Sequence, residues 1–207
     1  SDGSDIMVLT LTQSEFIDGL VRAYQGDLVA AGWHSKDPDT PVPQGEWLSM
    51  LDEVTEEEAK HVMQMGYQCL AGSLIWVSRF AHKEIAEGIS VACRVMSKPS
   101  YTAWGHLLQM VAWLRDHKYR GMRFRSDEIE HGLVASCDAS NKADKKDSRC
   151  QYSYVVQWMG GTISNISAKL TISGYGSPAN EYMAIRWAAS KVRKFRNLLQ
   201  ELGHRNV

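Results

Sequence analysis

Tyr152-Ser153-Tyr154-Val155-Val156-Gln157-Trp158-Met159, then Gly160-Gly161, then Thr162-Ile163-Ser164-Asn165-Ile166-Ser167, is the stretch on which the fold turns. β-Branched and aromatic residues at this density suit a pleated, half-buried strand. Two glycines between two such runs read as a tight turn, because glycine enters left-handed backbone without steric cost. Upstream, Gly132-Leu133-Val134-Ala135-Ser136-Cys137 is another short β-prone run, and residues 169–173 offer a further one. The spacing predicts an antiparallel meander of three or more strands. Downstream, Ser177 can cap a helix and Pro178 suits its first position. A single long helix is predicted from about Ala179 to Leu202.

Toward the amino end the period changes from two to that of a helix. Residues 9–25 read as one amphipathic helix capped by Thr12 or Ser14, with Phe16, Leu20, Val21 and Tyr24 on one face. Gly26 to Gly45 holds Pro38, Pro41 and Pro43 and reads as an extended connector. Helical spacing returns from Glu56 to Met96, with a break near Ala81-His82 and a buried face of Val62, Met65, Cys69, Leu70, Leu74, Val77 and Phe80. After Lys98-Pro99 a further helix runs from Tyr101 to His117, carrying Trp104, Leu107, Leu108, Val111 and Leu114. The expected fold is therefore α+β, a helical module followed by a meander plus one long helix. The division expected is 1–50, 51–127 and 128–207.

A chain of 207 residues can bury one sizeable core or two small ones. Its net charge of −1 rules out a protein that is basic throughout, so any nucleic-acid contact has to be local. No apolar run reaches the length of a membrane span, and no secretory signal opens the sequence. Ser1-Asp2-Gly3-Ser4-Asp5 reads as a fragment boundary. Cys69, Cys93, Cys137 and Cys150 form no metal-binding pattern and suit a reducing compartment. His61, His82, His106 and His117 lack ligand spacing, and Trp104 and Trp113 read as core. Asp144 and Asp147 sit among Lys142, Lys145 and Lys146 and read as solvated turn charges. Arg186, Lys191, Arg193, Lys194 and Arg196 precede Glu201 with no acid between them. Such a row either complements the helix dipole or contacts phosphates.

Several blocks, in order, resemble the carboxyl end of a copia-type retrotransposon polyprotein. Leu11-Thr12-Gln13 with Phe16-Ile17 is similar to a segment of its reverse transcriptase thumb, and Thr40-Pro41-Val42-Pro43 to the connector after it. Tyr67-Gln68-Cys69-Leu70-Ala71-Gly72-Ser73-Leu74-Ile75-Trp76 resembles the block Tyr-Arg-x-Leu-x-Gly-Ser-Leu-x-Tyr. Met96-Ser97-Lys98-Pro99 with Trp104, then Gly121-Met122-Arg123-Phe124, resemble the next blocks. Cys137-Asp138-Ala139-Ser140 and Gly176-Ser177-Pro178-Ala179-Asn180-Glu181-Tyr182-Met183-Ala184 resemble two blocks of the adjoining ribonuclease H domain. The chain departs from the pattern at His82-Lys83-Glu84-Ile85, Ser140, Asn165 and Ala179.

The resemblance implies a reverse transcriptase thumb and connection followed by a partial ribonuclease H-like fold. It implies two-metal hydrolysis of the RNA strand of an RNA–DNA hybrid, with two Mg²⁺ ions clamping the scissile phosphate. Asp138 and Glu181 would be the catalytic metal ligands, and Arg186, Lys191, Arg193, Lys194 and Arg196 the hybrid-binding cations. A further family Asp would follow Gly203, and the polymerase Tyr-x-Asp-Asp turn would precede Ser1, so this chain reads as a crop whose own activity is undecided. The implied partners are the hybrid and the rest of the polyprotein, without a membrane. The implied location is the cytoplasm, in a retroelement particle, with the nucleus left open. The alternative is a catalytically dead or domesticated module that binds nucleic acid or protein.

Overall fold

The computed structural model describes residues 5–33, 38–42, 47–140, 150–170 and 177–204. Two compact units make up the chain, Thr12–Gly121 in one and Ser1–Leu11 with Met122–Val207 in the other. The segment 1–50 is thus shared between the units.

The first unit is helical. It contains α1 (Ser14–Ala23), α2 (Gln25–Ala30), α3 (Glu56–Gln64), α4 (Tyr67–Arg79), α5 (Ala86–Ala92) and α6 (Tyr101–His117), with short 3-10 turns between some of them. Helix α6 is the central member. Every residue from Ala103 to Leu114 except Gly105 is buried, the pattern of a helix enclosed on all sides. Ser100 caps it, its hydroxyl accepting from the Ala103 N–H at 3.0 Å. Thr55 caps α3 in the same way, accepting from Glu58 at 3.2 Å, while the Glu58 carboxylate accepts from the Tyr101 N–H at 2.8 Å. One carboxylate thereby ties the starts of α3 and α6 together. The buried Tyr67 hydroxyl donates to the Ala92 carbonyl at 3.0 Å, and burial pushes its ionisation well above the usual range.

Helix α6 matches the sequence expectation at both ends, and Trp104, Leu107, Leu108, Val111 and Leu114 are all buried. The amino-terminal helix does not. Val8–Leu11 is a strand paired with Met122–Arg125, a partner too distant in sequence for local pattern to reveal. Helix α1 starts at Ser14 with no side-chain cap from Gln13, and its buried residues are Ile17 and Leu20, whereas Phe16 is exposed. The predicted connector begins instead as α2. A break also falls at Gly66, whose φ of +94° is left-handed backbone that glycine adopts freely. Of the predicted buried face, Val62, Leu70, Leu74 and Val77 are in the core, while Cys69 and Phe80 are exposed.

In the second unit, β1 (Val8–Leu11) and β2 (Met122–Arg125) form an antiparallel ribbon. Strands β3 (Leu133–Ser140), β4 (Gln151–Trp158) and β5 (Gly161–Lys169) form an antiparallel sheet in the order β3-β4-β5. Helix α7 (Ser177–Glu201) packs on β3 and β4. The expected meander with one long helix is therefore present. The Arg125 N–H donates to the Met159 carbonyl at 2.9 Å, and the Phe124 ring lies against the backbone of Gly161. Those two contacts fasten the ribbon to the β4–β5 turn. Of the further β-prone run at 169–173, Lys169 ends β5 and residues 171–173 lie outside the described residues, as do the charges Asp144, Asp147, Lys142, Lys145 and Lys146.

Candidate functional site

Side chains alternate across a strand, so burial assigns each residue of β3 to a face. Leu133, Cys137 and Ala139 join the core under α7, along with Tyr152, Tyr154 and Val156 of β4. Ala184 and Ala188 meet them from the helix, and such small side chains let α7 lie close to the sheet. Inside this core the Asn180 amide donates to the Cys150 sulfur at 2.8 Å. Burial raises the ionisation of the Tyr152 hydroxyl, and Tyr154 adds to the effect.

Asp138 is on the other face. It is exposed, its cross-strand neighbour is Ser153, and Ser167 stands opposite Ser153 on β5. Glu181 is half-buried and sits just past the first turn of α7. The two carboxylates named from the sequence thus belong to a strand face turned from the helix and to the helix itself. Among the described residues, no group of three or more His, Cys, Asp or Glu side chains could hold a metal ion.

The basic row lies along α7. Arg186, Arg193, Lys194 and Arg196 are exposed and Lys191 is half-buried. Sequence reading found these cations but not their setting. Arg193 and Arg196 border a groove of about 620 Å³, which runs between β3 and α7 and is lined by Ala135, Cys137, Ile185, Ala188, Ala189 and Val192. At helical spacing Tyr182, Ile185, Ala189, Arg193 and Arg196 form one continuous stripe. Tyr182 is 73% exposed and Ile185 51%. Among the described residues no strand pairs with the outer edge of β3, which is the border of this groove. A second hollow, of about 740 Å³, lies at the ribbon between Met7, Leu9, Phe124, Trp158 and Met159.

The chain is 24% identical over 125 residues to the secreted RxLR effector protein 161 of Plasmopara viticola. The match spans 60% of this chain and 87% of that protein. No protein-family model and no solved structure matches the chain.

This finding corrects the retroelement reading in both its forms, the polyprotein fragment and the decayed or domesticated module. The protein found to be similar is an effector, and no family model supports a reverse transcriptase or a ribonuclease H. The structure supplies a physical reason for the misreading. In the most specific block, Tyr67, Leu70, Ala71 and Leu74 are all fully buried. That string is the inner face of a packed helix, a pattern set by core packing and open to unrelated chains. The expected retroelement particle goes with the same correction. No described helix is long and apolar enough to cross a membrane.

Proposed function

We propose that this chain is an effector-type protein that acts by binding a protein partner through the surface shared by β3 and α7. The observation that carries the reading is the exposed stripe Tyr182–Ile185–Ala189–Arg193–Arg196 beside an open strand edge. Tyrosine and arginine are the side chains most enriched where binding energy concentrates, since each offers large contact area with a polar end. A helix packed on a sheet holds them in place before contact, which lowers the ordering cost of association. The likeness to a secreted effector supports the same reading, because it joins this chain to a protein named for its action as an effector.

The test is retention of polypeptides from a cell extract by the immobilised chain, compared with Tyr182→Ala/Ile185→Ala. A specific polypeptide set, lost in the variant and resistant to nuclease, is expected. Circular dichroism should show both proteins equally folded. An unchanged set, or one that nuclease removes, contradicts the proposal.

A further inference from the structure

We infer that the outer edge of β3 receives an extended, acidic peptide segment of the partner as an added strand. This inference rests on the protein-binding reading above and names the chemistry of its partner. Strand β3 is eight residues long, and among the described residues only β4 pairs with it. Along its other border, alternate backbone N–H and C=O groups point away from the sheet, which is a template for another strand. Val134, Ala135 and Ser136 are exposed there.

The groove decides what kind of strand fits. A segment laid beside β3 sends every second side chain toward α7. Those side chains would meet Ile185, Ala189 and Val192, which take an apolar residue, and then Arg193 and Arg196, which take a carboxylate. An arginine fork binds a carboxylate through two parallel hydrogen bonds, whereas a lysine on the peptide would be repelled. Charge also argues against a second copy of this chain as the occupant. Pairing two β3 edges would bring together two grooves whose charged lining, among the described residues, is Arg193 and Arg196.

The experiment titrates the full chain with a synthetic peptide of about eight residues, a usual strand length, in which every second position is valine in one half and glutamate in the other, with threonine between them. Three probes accompany it, namely the same peptide with alternate backbone nitrogens methylated, a valine–lysine version, and a single-stranded oligonucleotide. Binding is read from backbone amide shifts. The glutamate peptide should perturb β3 and α7 and bind at least about tenfold tighter than either altered peptide. Arg193→Glu/Arg196→Glu should reverse the preference between glutamate and lysine peptides. The inference is overturned by equal binding of the methylated peptide, by shifts away from β3, or by no binding at millimolar peptide. Tighter binding of the oligonucleotide also overturns it, and makes the row of cations a phosphate contact. Failure here with the Tyr182/Ile185-dependent polypeptide set intact leaves the protein-binding reading standing and removes only strand addition.

Discussion

Both units of this chain expose some large apolar side chains, Trp76 and Phe80 in the helical unit among them, and they differ in how completely their elements are paired. In the helical unit, α6 is enclosed along most of its length, two helix starts are capped by side chains, and Glu58 links α3 to α6. In the sheet unit, β3 pairs on one side only among the described residues, and Tyr182, Ile185, Val134 and much of β1 are exposed. A surface that leaves backbone pairing and apolar area in water forgoes stability and is a ready template for association. On the proposed function, the helical unit is scaffold and the sheet unit carries the docking surface.

The harshest way to probe that contrast is to hollow out the scaffold. Leu114 is fully buried in α6, so Leu114→Ala should cost about 2–5 kcal/mol through lost burial and the cavity left behind. Denaturant unfolding checks the size. A cost below about 1 kcal/mol means that the helical core is looser than its burial indicates. Gly161→Ala carries the probe into the sheet unit. A Cβ there would overlap the Phe124 ring, and overpacking of this kind costs about 1–3 kcal/mol. Truncating Phe124 in the same protein should recover part of that loss. If it recovers nothing, the ribbon is not fastened where the structure places it.

Acid separates the units more gently. His82 is fully buried in the helical unit, edge-on to Trp113 at 6.4 Å between ring centroids. Burial lowers its pKa, Glu84 opposes that shift, and His117 and Arg120 reinforce it. Above the ordinary histidine range both folded and unfolded chains hold His82 neutral. As pH falls below about 6.5 the unfolded chain takes up a proton that the folded chain resists, so stability is lost until the folded pKa is passed. Thermal unfolding between neutral and mildly acid pH should show this loss, and His82→Leu should reduce it. A slope unchanged by that substitution assigns the acid sensitivity elsewhere.

The smallest effect is expected at the two carboxylates. Asp138→Asn and Glu181→Gln should each change stability by less than about 0.5 kcal/mol and leave partner retention intact. Adding Mg²⁺ should shift the melting temperature of wild type and double variant equally. A Mg²⁺-dependent stabilisation that the double variant loses would assign the pair to a metal site.

The spacing of Trp104, Leu107, Leu108, Val111 and Leu114 made α6 legible, and Ser177 with Pro178 marked the start of the long α7. The meander was legible from Tyr152 to Ser167, where β-branched and aromatic residues flank Gly160-Gly161. Strand β1 was not, since Val8–Leu11 finds its partner at Met122–Arg125 and local sequence holds no trace of so distant a pairing. Gly66 breaks the helical run in left-handed backbone, and a lone glycine inside a helical pattern is a weak local signal for such a break. Of the site, the arginines of α7 were visible as charge. Their alignment with Ile185 and with an open β3 edge was not, because it depends on which way the helix turns on the sheet.

Residue-resolved amide hydrogen exchange of the free, full chain tests the contrast most directly. The account predicts that alternate β3 amides, those facing the outer edge, exchange at nearly unprotected rates. The β4 amides and those of Ala103–Leu114 should exchange only on larger opening. Uniform protection along β3, equal to that of β4, would contradict it by showing that the edge is already covered.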